Sequence, residues 1–423
     1  MGRGGIQIPD FASCQADHPK DMYRCMQKMM PPLVQPAAGA GQVLALILSR
    51  QAATRPDIER VSGLSRATVA HRLEELLGIG LIDETAERQP SGGRPARILK
   101  LNEAFAVTLA ADIGESFTRV AVTDLAPRIL AEQTVAIDVA SGPLPILGEI
   151  ARCGRALLKR AGRKATDVLG IGLSLPAPVD HEGGRVVGPS VMRQWDNFDI
   201  RGWLEQALGI DALIDNDVNL MALSEHRRFW PAADHFFFVK AGTGIGSGIV
   251  TRGQVYRGGR GASGDIGHIQ FDAPQAPLCR CGKLGCVEAR AAGWAIARDL
   301  RALGFEGQTA RDVMALLDRG TPECIQRIRE AGRVLGEVLA DVVSILNPTT
   351  IVIGGTLAQA GEHLIAGIRE LIYQRCLPLA IEGLAIHTAR SDDRAGILGA
   401  AQLVIDAKLQ PAAIGQTIAR VVG

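Results

Sequence analysis

Residues 265–288 of this 423-residue chain read DIGHIQFDAPQAPLCRCGKLGCVE and hold the densest chemistry in the sequence. His268, Cys279, Cys281 and Cys286 supply one imidazole nitrogen and three thiolates, the donor set of a closed, tetrahedral structural zinc site. Gly282 and Gly285 let the chain fold back between the thiolates. Asp265 and Glu288 bracket the four. A metal already saturated has no use for them, so they are free to accept hydrogen bonds from a polyhydroxylated ligand. Buried free cysteines beside a core histidine are the alternative. A redox pair is disfavoured, because a single residue separates Cys279 from Cys281.

Two further stretches carry polar groups where strands end. DNDVN, residues 215–219, lies where a strand-like ALI hands over to a helix-like LMALSEH. A carboxylate there can take a proton or a hydrogen bond from a ligand hydroxyl; Asp217 is the candidate, with Asn216 beside it as donor and acceptor. Helix capping by Asp215 or Asn216 is the other reading. AGTGIGSG, residues 241–248, presents backbone N–H groups with no side chains in the way, as a phosphate or a sugar requires. Glycine turns of this kind also serve as plain hairpins.

Strands and helices must deliver these groups. Residues 106–114, 118–125 and 129–138 read as three successive strands, followed by a helix over 144–160 and a strand over 168–176. A second series starts at residue 235, so strand, glycine turn, strand occurs twice, once around Asp112 and Gly114 and again at residues 242–248. That weak duplication predicts two α/β lobes with a ligand cleft between them. Residues 331–348 then read as a helix, TTIVIGG as a strand and residues 361–375 as a helix. RAGILGAAQLVID closes the pattern as a helix whose Gly396, Gly399 and Ala400 permit close packing.

Ahead of the lobes the pattern changes. Residues 1–40, rich in Gly, Pro, Gln and Met, read as an arm that is mobile or partly helical. VLALILSR is a first helix; Thr54 caps a second with Pro56 in its first turn, and Gly63 makes the turn to a third. Ser65 caps that third helix, whose Val69, Leu73, Leu76 and Leu77 recur on one face. Residues 81–102 read as two short strands around a Pro/Gly-rich tip, which completes a winged helix-turn-helix. Such a domain sets the start of its third helix in the DNA major groove, where Arg66, Thr68, His71 and Arg72 would face base edges and Ser65 a phosphate. In the wing, Arg88, Arg94, Arg97 and Lys100 follow with no acid between them, and Gly92 and Gly93 let Arg94 approach closely. Residues 41–101 carry nine Lys/Arg against seven Asp/Glu, so the signal lies in placement rather than in total charge. A protein-contact domain with solvated arginines is the alternative.

Composition narrows the setting. With 47% hydrophobic and 22% charged residues the chain is an ordinary globular protein, long enough for two or three cores. A net charge of +1 gives no global pull toward nucleic acid or membrane. Of eight cysteines only three cluster, in a chain too large to need disulfide staples, which points to a reducing cytoplasm. The N-terminus has no signal-peptide core, and no run approaches the ~18 apolar residues of a membrane span.

Together these residues resemble the ROK family of repressors, open reading frames and sugar kinases, from about residue 42 to 406. DIGH followed by CRCGKLGCVE is similar to the family's ExGH and CxCGxxGCxE pair, and DNDVN, KAGTGIGSGIV and NPTTIVIGG follow the family's order. The resemblance implies an α/β, actin-like, sugar-kinase-type two-lobed fold preceded by a small winged helix-turn-helix. It implies an arm over 1–40, a DNA-binding domain over 41–102, and an effector-binding and oligomerisation part over 103–423 with its zinc module at 265–288. By motif position, Asn216, Asp217, Asp265, His268 and Glu288 would bind a sugar, Asp265 standing where the family usually has glutamate, and Asp217 would be the base of a kinase. Asp112, Gly114, Gly242, Thr243, Gly244 and Gly246 would be what remains of two phosphate loops. The kinases' first loop reads DxGGT, whereas this chain has DIGES, whose Glu115 would repel ATP. PAP at residues 176–178 replaces Pro-Gly-Pro, and Ser190 stands where kinases commonly have asparagine. The expectation is therefore a sugar-responsive repressor with structural zinc, operator DNA and a sugar as partners, assembled as a homodimer or homotetramer. An active sugar kinase using magnesium–ATP is the alternative.

Overall fold

The structure, a computed structural model, describes residues 39–89, 95–188, 192–272 and 275–417. All but the last two residues of the expected arm, together with Gly92, Gly93, Arg94 and Ser190, lie outside the described residues.

Three helices come first: α1 (Ala40–Leu48), α2 (Arg55–Ser62) and α3 (Arg66–Gly78). Thr54 accepts a hydrogen bond from the Asp57 N–H at 3.3 Å to cap α2, which ends on Gly63 at φ 68°. Ser65 caps α3 by accepting from the Thr68 N–H at 3.2 Å. Val69, Leu73 and Leu76 are buried, and Leu77 is half-buried. An antiparallel hairpin of β1 (Ile82–Gln89) and β2 (Ala96–Leu101) follows, pairing Ile82 with Leu101. This core is not closed on itself. Val43, Leu44, Ile58 and Leu73 share it with Ala106, Leu125 and Leu169 of the next lobe and with Val404, Ile405, Leu409 and Ile414 near the C-terminus.

The first lobe runs through β3 (Val107–Ile113), β4 (Thr118–Thr123), β5 (Ile129–Val135), α4 (Pro143–Arg160), β6 (Val168–Leu175), a small hairpin of β7 (Val179–Asp180) and β8 (Arg185–Val186), α5 (Ile200–Leu208), and β9 (Ala212–Asn216). Its sheet has the order β5-β4-β3-β6-β9, the first three strands antiparallel and the last two parallel. Helix α6 (Asp217–Phe229) then leads to the second lobe: β10 (His235–Ala241), β11 (Ile245–Thr251), β12 (Gln254–Val255), α7 (Val287–Ala291), α8 (Gly293–Ala302), α9 (Ala310–Asp318), α10 (Pro322–Leu346), β13 (Thr350–Gly354), α11 (Glu362–Arg375), α12 (Pro378–Ile381) and β14 (Ala385–Thr388). Its sheet, β12-β11-β10-β13-β14, repeats the first one strand for strand in order and in direction. The duplication faintly visible in the sequence is thus complete in three dimensions.

Helix α13 (Ala395–Lys408) packs on β3 and β6, while α6 packs on β10 and β11. The two helices lie against each other between the sheets. A Cβ at Gly399 would stand 2.0 Å from the Leu220 carbonyl oxygen, so only glycine allows this approach. Glu225 of α6, fully buried, accepts hydrogen bonds from Trp230 Nε1 at 3.0 Å and from the N–H groups of Arg390 and Ser391 at 2.9 Å. Three donors offset its desolvation and fix the loop that enters α13. Among the described residues no helix is long and apolar enough to cross a membrane.

Candidate functional site

The cysteine loop is a tight knuckle. The Cys279 N–H donates to the Lys283 carbonyl at 2.8 Å and the Gly282 N–H to the Cys279 carbonyl at 3.0 Å, a turn that needs φ 88° at Gly282 and 74° at Gly285. His268 arrives on a short 3-10 turn, Ile266–His268. One donor atom from each of His268, Cys279, Cys281 and Cys286 lies within 4.8 Å of all the others. Cys281 Sγ and Cys286 Sγ are 3.7 Å apart, and Cys279 Sγ is 3.8 Å from His268 Nδ1. A tetrahedral ion with bonds of about 2.3 Å to sulfur sets edges of roughly that length, so the cluster can hold a metal. Burial pushes the Cys279 thiol up and the Cys286 thiol to about 12, with the neighbouring cysteines adding to it. A metal would take the place of those protons and pin the knuckle. Use of Nδ1 in the cluster leaves His268 its Nε2 for another partner.

Both acids that bracket the cluster are placed by the fold, in different ways. Asp265 is exposed at the start of the 3-10 turn. Glu288, in the first turn of α7, accepts the Ile245 N–H at 3.1 Å through Oε2 and Trp294 Nε1 at 3.4 Å through Oε1. It therefore also braces the second glycine turn.

DNDVN divides its labour. Asn216 is the cap of α6, its Oδ1 accepting from the N–H groups of Val218 and Asn219 at 2.9 and 3.4 Å while its Nδ2 donates to the Ala177 carbonyl at 3.0 Å. Asp215 is buried and bonds Arg257 at 2.7 Å and Asn219 Nδ2 at 2.9 Å. Asp217 sits in the first turn of α6 with its carboxylate on Lys240 Nζ at 2.5 Å. Asp112, at the end of β3, lies close enough for its charge and that of Asp217 to act on each other. Burial lifts the Asp112 carboxyl above its ordinary range, and the Asp217 charge adds to this against the opposing Lys240 and Arg119.

Among the described residues, three ion pairs join the lobes along one seam: Glu115 with Arg280 at 3.7 Å, Asp215 with Arg257 at 2.7 Å, and Asp217 with Lys240 at 2.5 Å. Every acid comes from the first lobe or its edge at α6, and every base from the second. The exposed Glu115–Arg280 pair contributes little. Removing Arg257 would strand a buried carboxylate, at a cost of about 3–5 kcal/mol.

The glycine turns offer less to a phosphate than their composition suggests. Gly114 donates its N–H to the Phe117 carbonyl at 2.8 Å, and a Cβ on Gly114 would meet the Phe117 ring at 2.6 Å. Gly242 donates to the Gly244 carbonyl at 3.1 Å, and Gly246 faces Lys240 in the β10/β11 ladder, which leaves Thr243 and Gly244 at the tip. The first turn carries Glu115.

On the N-terminal domain, Ser65, Arg66 and His71 are exposed along α3. Thr68 is half-buried, its hydroxyl 2.8 Å from that of Ser65. Arg72 turns inward instead and donates to Gln42 Oε1 of α1 at 2.8 Å. In the hairpin, Arg97 faces Glu84 at 3.7 Å and Lys100 pairs with Glu87 at 2.9 Å, so acids of β1 partner the basic residues of β2.

The sequence pattern of the ROK family matches residues 108–407, both lobes and the site between them. The chain belongs to the ROK family. Among curated ROK relatives, the putative xylose repressor of Caldicellulosiruptor sp. (strain Rt8B.4) is 28% identical over 379 residues, covering 86% of this chain and 94% of the relative. A solved ROK family transcriptional regulator, described as a homologue of the E. coli MLC protein, superposes with a TM-score of 0.78 at 28% identity, over 91% of this chain and 98% of its own. The ROK glucokinase of Streptomyces griseus, solved with glucose and AMPPNP, superposes with a TM-score of 0.61 at 26% identity, over 70% of this chain and 99% of its own. A ROK kinase is thus matched almost whole by about two thirds of this chain, whereas the ROK regulator extends over nine tenths.

Sequence reasoning about this ROK chain missed the bases of the seam. Arg257 and Arg280 carry no local signature. Lys240 had one: it is the charged residue inside HFFFVKA, an otherwise apolar strand.

Proposed function

We propose that this ROK chain is a sugar-responsive DNA-binding repressor, with Asn216, Asp217, Asp265, His268 and Glu288 around the sugar. The observation that carries the reading is the course of α13. At its start, a Cβ on Gly396 would lie 2.7 Å from Asp112 Oδ1 in the cleft. Its middle packs on α6, which begins at Asp217. At its end, Val404 and Ile405 enter the core of the N-terminal helices. One rigid helix therefore touches both the ligand cleft and the DNA-reading domain, as a two-state coupling element requires. Relatives named as a putative xylose repressor and an N-acetylglucosamine repressor support the effector class.

Zinc at His268, Cys279, Cys281 and Cys286 is structural in this reading, since four protein ligands leave no open position. Magnesium–ATP does not fit. Glu115 occupies the first turn, Gly114 and Gly242 have spent their N–H groups, and Lys240 already sits on Asp217. The winged helix-turn-helix, residues 41–102, reads DNA with Ser65, Arg66, Thr68 and His71, and Arg72 supports it from behind. A homodimer, or a tetramer built from two, presents two α3 helices to half-sites about 34 Å apart.

Fluorescence anisotropy on a labelled operator fragment tests the reading. Xylose, N-acetylglucosamine or a related sugar is expected to change operator affinity tenfold or more. If no sugar or sugar phosphate moves it, the proposal falls.

A further inference from the structure

Lys240 is the penultimate residue of an apolar strand and reaches into the cleft, where its ammonium is 2.5 Å from Asp217 Oδ2. The carboxylates of Asp112 and Glu115 bear on the same amine: burial alone would pull its pKa down, yet the three acids outweigh it and hold it above its ordinary value. Two arginines nearby already have acidic partners. Arg119 is bound to Asp393 at 2.6 Å, and Arg280 faces Glu115 at 3.7 Å.

Phosphoryl transfer on a nucleotide needs a divalent cation that bridges the phosphates and is held by acids of the cleft. In this chain a tethered ammonium already stands among those acids. We infer that Lys240 is a resident counter-cation that closes the cleft to a metal–nucleotide and leaves it open to a neutral sugar, a specificity-determining role for the residue that opens the second glycine stretch. A sugar hydroxyl can share Asp217 with an ammonium, because a carboxylate accepts several hydrogen bonds. A divalent cation cannot share it, because it would have to approach a fixed positive charge. The sugar half of this inference rests on the proposed function; the metal half does not.

The test uses the full-length protein with its native metal content retained. Manganese is the probe, a hard cation that thiolates hold poorly and whose free form is counted by electron paramagnetic resonance. Manganese is expected to bind Lys240→Met at least tenfold more tightly than the wild type, and Lys240→Met/Asp217→Asn is expected to lose that gain. Lys240→Gln, which keeps part of the stem and a neutral donor, carries the same test should Lys240→Met fail to fold. Equal manganese affinity in the wild type and the single variants overturns the inference, as does a gain that persists in the double variant. Sugar titration of the same proteins separates the two readings. A wild type that binds no sugar while Lys240→Met gains manganese refutes sensing alone; sugar binding with unchanged manganese affinity refutes the role of Lys240 alone.

Discussion

Cys281 is half-buried beside Cys286, and its loss removes one of four donors from a cluster whose other three sit on two separate segments. Serine is a poor ligand for a soft site, so Cys281→Ser is expected to lose bound zinc by elemental analysis. With the knuckle unpinned, His268 and Glu288 lose their bearings, and sugar affinity should fall tenfold or more. Full sugar affinity without metal would contradict this. His226 sets a second test. It is buried, its Nε2 lies 3.0 Å from the Ala233 carbonyl, and its Nδ1 has no partner. Burial holds its pKa below the ordinary 6.5. The unfolded chain therefore takes up this proton near pH 6.5, whereas the folded protein takes it up only lower. The stabilisation is complete above pH 6.5 and is lost as pH falls toward the folded value, with a slope of at most about 1.4 kcal/mol per pH unit. Urea midpoints between pH 7.5 and 5 should show this loss. His226→Gln should flatten it, and an unchanged slope in that variant would assign it to other groups.

Helix α3 presents two kinds of arginine. Arg66 is exposed in the first turn, next to the cap, the placement that the proposed function assigns to a DNA contact. Arg72, two turns on, is bonded to Gln42. Arg66→Ala should weaken operator binding by about 1–3 kcal/mol with no change in melting temperature. Arg72→Ala should act mainly through stability, by loosening α1 from α3. Anisotropy beside thermal melts of both variants tells the roles apart, and the reverse pattern would move the reading face along the helix. The caps explain why α2 and α3 were legible in sequence: Thr54, Gly63 and Ser65 act on neighbours within four residues. The inward turn of Arg72 was not legible, because Gln42 is thirty positions away.

At the scale of the molecule, α13 and the segment behind it hold the N-terminal helices to the lobes. A Cβ at Gly41 would meet the Pro411 carbonyl oxygen at 2.5 Å and Ile414 Cγ2 at 2.7 Å. Gly41→Leu should force α1 off this surface at a cost of about 1–3 kcal/mol. Sugar affinity should stay at the wild-type value, since the cleft is remote, while the effect of sugar on operator affinity should disappear. A sugar response of wild-type size in Gly41→Leu would exclude this contact as the coupling route. Gly41→Ala is the milder variant if the larger side chain prevents folding.

Local chemistry carried the sequence reading. The three thiols and one imidazole, the helix caps and the strand, glycine turn, strand repeat all act over a few residues, and each is in its expected place. The two sheets of matching order follow from that repeat, because each series has to bury its own apolar faces. What the tertiary structure decided lies between segments far apart in the chain. It chose Asn216 over Asp215 as the cap, spent Asp215 on Arg257, turned Arg72 toward Gln42 and set Glu288 under the second glycine turn. Above all it seated Lys240 on Asp217, twenty-three residues away in sequence. The reason is physical: spacing within a segment fixes which groups share a face, but the partner of a charge is fixed only when lobes close and water leaves.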